Sequence, residues 1–215
     1  MASFKSPHHN TTQLVLQTVE VYERSAKECL DRWNKRRHRR PPLLVEWLRR
    51  FPADARLLDL GCGGGRDAGD LAQRGYRVVG VDRTRALLSA GRRRYRSLPL
   101  VRADLRDLPF QAMSFDGLWA AASLMHLPKP DARRILGDLC RLVRPGGLFA
   151  ATVTYGMKSC LLTDGWLPGR YVARWKKDEL ARAVRRAGWT ILELRVVTNQ
   201  ERKGRWLNLL AQKQG

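Results

Sequence analysis

A chain of 215 residues, 44% of them hydrophobic, can bury one sizeable core and leaves no room for a second catalytic domain. No apolar run approaches the ~20 residues of a membrane span, and the opening MASFKSPHHNTTQ lacks an apolar signal core, so a soluble, cytoplasmic protein is expected. The net charge of +21 raises non-specific affinity for polyanions such as RNA, yet RWNKRRHRR, GRRRYR, DARR, RAVRR and ERKGR are spread in a way that equally suits solvated helix faces.

Residues 1–10 read as a disordered tail. From 11 to 37, Leu14, Val15, Val19, Val21, Tyr22, Cys29, Leu30 and Trp33 recur at helical intervals, predicting one or two amphipathic helices that Pro41-Pro42 stop. A short helix over 43–51 follows, and 11–51 as a whole is a candidate lid on a core running from 56 to 215, in one domain. From Arg56 strands and helices alternate, which predicts an α/β fold with a mostly parallel sheet covered on both faces. The strands fall at 56–60, 76–81, 98–103, 115–121 and 148–154. Helices fall at 65–74, stopped by Gly75, at 85–95, and at 132–143, opened by Pro130-Asp131 and closed before Pro145-Gly146-Gly147. After a loop over 156–175 come a helix at 177–187, stopped by Gly188, and two strands, 190–197 and 205–212, whose Gly-containing link predicts an antiparallel pair. Cys29, Cys62, Cys140 and Cys160 show no C-x-x-C spacing, so neither zinc nor a disulfide framework is suggested and no metal is expected.

The stretch LLDLGCGGGRD, 57–67, organises the rest. Glycines at 61, 63, 64 and 65 allow a sharp turn and close approach of a ligand to the main chain, and the helix behind them aims unpaired N–H groups at that ligand. Asp82 ends a second apolar run, RVVGVD, about 20 residues on, where an acid can take ribose hydroxyls. A nucleotide-like ligand fits. The dinucleotide fingerprint is disfavoured because Arg66 stands where Gly or Ala packs helix on strand, and no Gly-Lys-Ser/Thr supports a P-loop.

Asp59-Leu60-Gly61-Cys62-Gly63-Gly64-Gly65 resembles the first motif of class I S-adenosylmethionine-dependent methyltransferases. VVGVD at 78–82, ADLRDLPF at 103–110, SFDGLWAAASLMHL at 114–127 and LVRPGGLF at 142–149 match that family in order, over about 56–155. The resemblance implies a Rossmann-like three-layer sandwich with a seven-stranded sheet and a reversed last strand, and S-adenosyl-L-methionine as cofactor. It implies that Gly61, Cys62, Gly63 and Gly65 hold the methionine and ribose part, that Asp59 orients the amino group, and that Asp82 accepts both ribose hydroxyls. Asp104 and the Leu105 N–H would read adenine, Arg83 would pack on its face, and Ala120 and Ala121 would offer carbonyls to the amino group. Tyr22, on the leading helix, is expected to face the site.

The methyl of such a cofactor is already activated, so the enzyme gains most by aligning the acceptor and excluding water. A base helps where the acceptor carries a proton, and His126, just past the fourth strand, is placed for that. Arg66 and Arg170 could meet an acidic acceptor by bidentate contact. The acceptor is expected to be a small molecule, because no separate RNA-binding module exists and the 156–175 insert could close a pocket. The alternatives are RNA, tRNA above all, on the basic surface, and a non-catalytic cofactor-binding regulator.

Overall fold

Residues 57–60 are all buried, as the middle strand of a sheet covered on both faces requires. The structure, a computed structural model, describes residues 7–35, 41–199 and 204–214. In chain order the elements are α1 (Pro7–Arg24), α2 (Ala26–Lys35), α3 (Pro42–Leu48), β1 (Arg56–Leu60), α4 (Arg66–Ala72), β2 (Arg77–Asp82), α5 (Arg85–Arg94), β3 (Leu100–Arg102) and β4 (Phe115–Ala121). A 3-10 turn (Leu124–His126) leads to α6 (Lys129–Leu142), β5 (Val143–Tyr155), β6 (Cys160–Leu161), β7 (Tyr171–Val172), β8 (Arg174–Trp175), α7 (Lys177–Arg186), β9 (Trp189–Asn199) and β10 (Gly204–Lys213).

The main sheet has the order β3-β2-β1-β4-β5-β10-β9. β10 runs antiparallel to both neighbours and is the one reversed strand, the Rossmann-like arrangement expected. Strand alternation sorts the core. Leu57, Trp119, Leu148 and Ala150 face α3, α4 and α5, whereas Leu58, Leu60, Leu118, Ala120, Phe149, Ala151 and Val153 face α6 and α7. Trp47 of α3 is fully buried against Trp119, with ring centroids 5.8 Å apart.

Several boundaries differ from the sequence reading. Residues 7–10 belong to α1 rather than to a tail, while 1–6 and the basic stretch 36–40 lie outside the described residues. β5 starts at Val143, which pairs with Phe115 before a register shift, so the Pro-Gly-Gly segment is an irregularity inside the strand, with Gly146 at φ +75°. The region read as a loop holds a β6-β7 hairpin and β8, an eighth strand that pairs with the end of β5 (Thr154 with Arg174) where β4 has already stopped at Ala121. Two-residue strands owe their existence to partners and carry no periodicity, which is why the sequence is silent on them.

α1 and α2 lie over the carboxyl ends of the strands. Val21, Ala26 and Cys29 pack on Leu87 of α5 and Leu167 in a small separate cluster. The Glu23 carboxylate accepts the N–H groups of Arg85 (2.6 Å) and Ala86 (2.8 Å), where the helix dipole favours an anion. The hairpin and its loop are tied to both helices: Tyr171 N–H donates to Thr18 Oγ1 of α1 at 2.9 Å and Trp166 Nε1 donates to Glu28 of α2 at 3.0 Å. Among the described residues no helix is long and apolar enough to cross a membrane.

Candidate active site

The loop after β1 is shaped by what surrounds it. Gly61 sits at φ +73°, and a Cβ there would fall 2.3 Å from Cβ of Ser123; Gly63, at φ +56°, would bring one to 3.2 Å from the Trp33 ring. Both positions therefore need glycine on sterics and on backbone conformation. The N–H groups of Gly61 and Cys62 donate to the Val81 carbonyl at 2.8 and 2.9 Å, locking the loop to the end of β2. Asp82 completes the lock, accepting Gly63 N–H on Oδ2 and Thr84 N–H on Oδ1, each at 2.8 Å. Each carboxylate oxygen keeps a further lone pair free of these contacts.

Asp59 is 3% exposed and its Oδ2 has no hydrogen-bond partner. Burial, reinforced by the nearby Asp67 and Asp82 carboxylates, pushes its carboxyl well above the usual range, and burial likewise raises Asp82. A buried, unsatisfied acceptor is costly unless something comes to meet it. An ammonium over Asp59 and vicinal hydroxyls over Asp82 would meet acceptors the protein leaves open.

These groups open into a cavity of about 810 Å³. Of the residues expected at the site, Tyr22, Asp59, Gly61, Cys62, Gly63, Asp82, Arg83, Asp104, Leu105, Ala121 and His126 line it; Gly65 and Ala120 do not. Gly65 instead caps α4 beside Leu98 and Leu100, and Ala120 points into the α6–α7 core because strand alternation puts it on that face. Arg83 is not splayed over an open face, since its Nη1 pairs with Asp104 at 2.7 Å. Asp104 also takes Arg106 at 2.8 Å; burial alone would raise its carboxyl, but these guanidiniums hold it below the usual range. Arg66 is occupied too, by Asp67 (3.2 Å) and by the Trp33 carbonyl (3.0 Å). The Cys62 thiol is pushed well above its ordinary range by burial and is a poor nucleophile. Among the described residues no group of three or more His, Cys, Asp or Glu side chains could hold a metal.

At the acceptor side three elements distant in sequence meet. His126 Nδ1 lies 2.8 Å from the Tyr171 carbonyl, which can only accept, so Nδ1 carries the proton and Nε2 presents a lone pair. Tyr22 Oη sits 2.9 Å from that Nε2 and donates to it, while accepting from Arg170 Nη1 at 2.8 Å. Burial, aided by the Arg170 charge, lowers the His126 pKa to about 4, and burial raises the Tyr22 phenol against the opposing pull of Arg170. The ordinary imidazole value expected from sequence is thus replaced by that of a firmly neutral ring.

This has a consequence for stability. Unfolded, His126 titrates near ~6.5; above that pH both states are neutral and stability is at its full value. As the pH falls from there toward 4 the unfolded chain takes up the proton first, and stability drops by up to about 3 kcal/mol. Urea titrations at pH 7 and pH 4.5 of the wild type and of His126→Gln are expected to show the larger loss in the wild type. Equal losses would place His126 in water.

Side chains that sequence reasoning passed over complete the walls. Ser123 lines the cavity with an Oγ that has no hydrogen-bond partner, Trp33 covers Gly63, Leu30 covers Gly64, and Thr18 holds the hairpin. Only the helical spacing of Leu30 and Trp33 hinted at a packed face.

A family model described as a methyltransferase domain matches residues 58–151. The ubiquinone biosynthesis O-methyltransferase of Methylobacterium sp. (strain 4-46) is 33% identical over 190 residues, covering 80% of this chain and 72% of that protein. The corresponding enzyme of Acinetobacter baumannii (strain AYE) is 29% identical over 203 residues, covering 83% and 84%. In fold the chain is similar to Burkholderia thailandensis 1,6-didemethyltoxoflavin-N1-methyltransferase, solved with 1,6-didemethyltoxoflavin and S-adenosylhomocysteine, at a TM-score of 0.76, 23% identity and coverage of 100% and 93%.

Proposed function

We propose, from the premise that this chain belongs to the class I S-adenosylmethionine-dependent methyltransferases, that it methylates a small molecule enclosed between the sheet edge, α1 and the β6-β7 hairpin. The chain is an enzyme and S-adenosylmethionine is its cofactor. The observation that carries the small-molecule reading is that one cavity of about 810 Å³ joins the glycine loop and Asp82 to Tyr22, His126 and Arg170, beneath helices hydrogen-bonded to the hairpin. That volume lies in the range of small-ligand sites, and the names of the relatives, small-molecule methyltransferases, point the same way.

S-adenosylmethionine supplies a methyl on a sulfonium, already activated for transfer. In this reading Asp59 Oδ2 takes the amino group, Asp82 the ribose hydroxyls, and the loop at Gly61 to Gly63 lies against the methionine part. Leu105 and the Arg83–Asp104 pair border the adenine end. Tyr22 and His126 receive the proton the acceptor releases: it arrives on Tyr22 Oη, whose own hydrogen passes to His126 Nε2, 2.9 Å away. A base with a pKa of about 4 is too weak to ionise an alcohol or phenol beforehand. It suffices once the heteroatom acquires the methyl and its proton becomes strongly acidic. The α1–α2 lid serves by excluding water.

RNA is assigned a surface role only, because the glycine loop, Asp82 and His126 face the cavity rather than the basic helix faces. Labelled S-adenosylmethionine offered with a metabolite extract of the source cells, and separately with total tRNA, is expected to label the metabolite fraction alone. Any tRNA binding should weaken with log salt at about −0.7 per phosphate contacted. Stoichiometric label at one tRNA position would overturn the small-molecule assignment.

A further inference from the structure

The basic residues of the cavity are not equivalent. Arg66 and Arg83 each pair with a carboxylate, whereas Arg170, Arg174 and Arg205, like the exposed Arg32 over the Trp166 ring and the exposed Arg94 bonded to Asn34, pair with none among the described residues. Arg170 is 7% exposed; its Nε and Nη2 donate to the Leu167 and Trp166 carbonyls and its Nη1 to Tyr22 Oη. Those acceptors are neutral, and stacking on the Trp166 and Tyr22 rings, 5.1 and 5.4 Å away, softens the charge without cancelling it. Arg174 carries a buried Nε with no hydrogen-bond partner at all. Arg205, which is exposed, lies over the face of Tyr155, 4.4 Å from its Cζ. Arg170 is buried and Arg174 half-buried, and a desolvated cation without a counter-ion is expensive; the protein tolerates it where a ligand brings the anion.

Arg170 and Arg174 share one wall. The segment 170–175 is extended, so residues two apart share a side. Arg170, Val172 and Arg174 line the cavity, whereas Ala173 and Trp175 are buried away from it. Arg174 pairs through its backbone with Thr154 on one flank of β5, and Trp206, next to Arg205, pairs with Thr154 on the other. Arg174 therefore shares the face of Thr154, whereas Arg205, one residue from Trp206, is on the opposite face with Tyr155. Asp82 ends β2, three strand spacings away across β1 and β4, or about 14 Å at about 4.8 Å per strand. Asp59 and Asp82 line the cavity on the β1–β2 side and Arg170 and Arg174 on the β5 side, with His126 reached from the end of β4 between them.

We infer that the methyl acceptor bears a carboxylate, which Arg174 holds at the end of β5 with Arg170 behind it, leaving its nucleophilic atom toward Tyr22 and His126. This rests on the methyltransferase reading above. It makes Arg174 a specificity-determining residue for an acidic acceptor.

The test uses protein saturated with S-adenosylhomocysteine and a panel of small aromatic and aliphatic carboxylic acids, each paired with its primary amide, followed by ligand-observed NMR and calorimetry. Panel members that bind are expected to be acids, each at least about tenfold tighter than its amide, because an ionised partner strengthens each hydrogen bond to a guanidinium. Arg174→Gln should erase that preference while affinity for S-adenosylhomocysteine stays unchanged. Arg170→Gln is less informative, since it also releases Tyr22 and Trp166. Amides binding as well as acids, no panel acid binding, or a preference that survives in Arg174→Gln, would overturn the inference. Failure to bind S-adenosylhomocysteine would instead strike the cofactor assignment, so the two failures are told apart.

Discussion

Replacing Asp82 by alanine should weaken S-adenosylhomocysteine binding by roughly 10²–10⁴-fold, the largest single effect expected in this protein. In the proposed site two hydrogen bonds from ribose hydroxyls to this buried carboxylate are lost, each contributing about 1.5–3 kcal/mol. Asp82 also accepts Gly63 N–H and Thr84 N–H at 2.8 Å, so the variant leaves two loop donors without a partner. Part of the loss therefore passes through a loosened glycine loop. Calorimetry on the wild type, Asp82→Ala and Asp82→Asn separates the parts. The amide keeps one acceptor oxygen and should recover a fraction of the affinity. Equal affinities in all three proteins would reduce Asp82 to a loop fastener.

The second large effect concerns the chain of contacts Arg170, Tyr22, His126, Tyr171. On the identified acceptor, Tyr22→Phe and His126→Ala should each slow transfer by roughly 10²–10⁴-fold, with cofactor affinity held within about twofold. Because both side chains act on one proton, the double variant should lose little more than either single one. The pH dependence carries an independent readout. With His126 near 4, the base is already neutral at every ordinary pH, so kcat should show no inflection near ~6.5 and should decline only in acid. An inflection near ~6.5 would mean a solvated imidazole in the working complex. Unchanged rates in both variants would leave the three side chains as a clasp that holds α1 on the hairpin.

The same contacts show why a lid residue and a site residue are hard to separate here. Tyr22 stands on α1, which is fastened by Glu23 to the start of α5 and by Thr18 to the hairpin. Any motion of α1 therefore carries Tyr22 away from His126, and the proposed proton path requires the helices in place. The Arg66 contact with the Trp33 carbonyl ties α2 to the glycine loop in the same manner.

What the sequence alone determined is local. β1 and β4 fall at the predicted residues, and the glycine loop, Asp82 and the reversed β10 were readable because a strand, its turn and its cap are decided by neighbours within about 25 residues: alternation, missing Cβ atoms, a carboxylate at the right remove. Asp59 was legible as the acid of the glycine motif, but its burial and its unsatisfied oxygen needed α4 and β4 around it. The tertiary structure decided the rest. Tyr22 and His126 are 104 residues apart and Tyr22 and Arg170 148 apart, so no periodicity links them. Their meeting follows from α1 and the hairpin both closing on the end of β4. Arg83 and Arg66 proved to be occupied by Asp104 and Asp67, while Arg170 and Arg174 were left without carboxylates, a distinction invisible in a chain with 41 basic residues. Charge is written in the sequence, but whether a charge has a partner is a matter of distance, and burial, which moves His126 from an ordinary imidazole to a neutral one near 4, is a property of the packed chain.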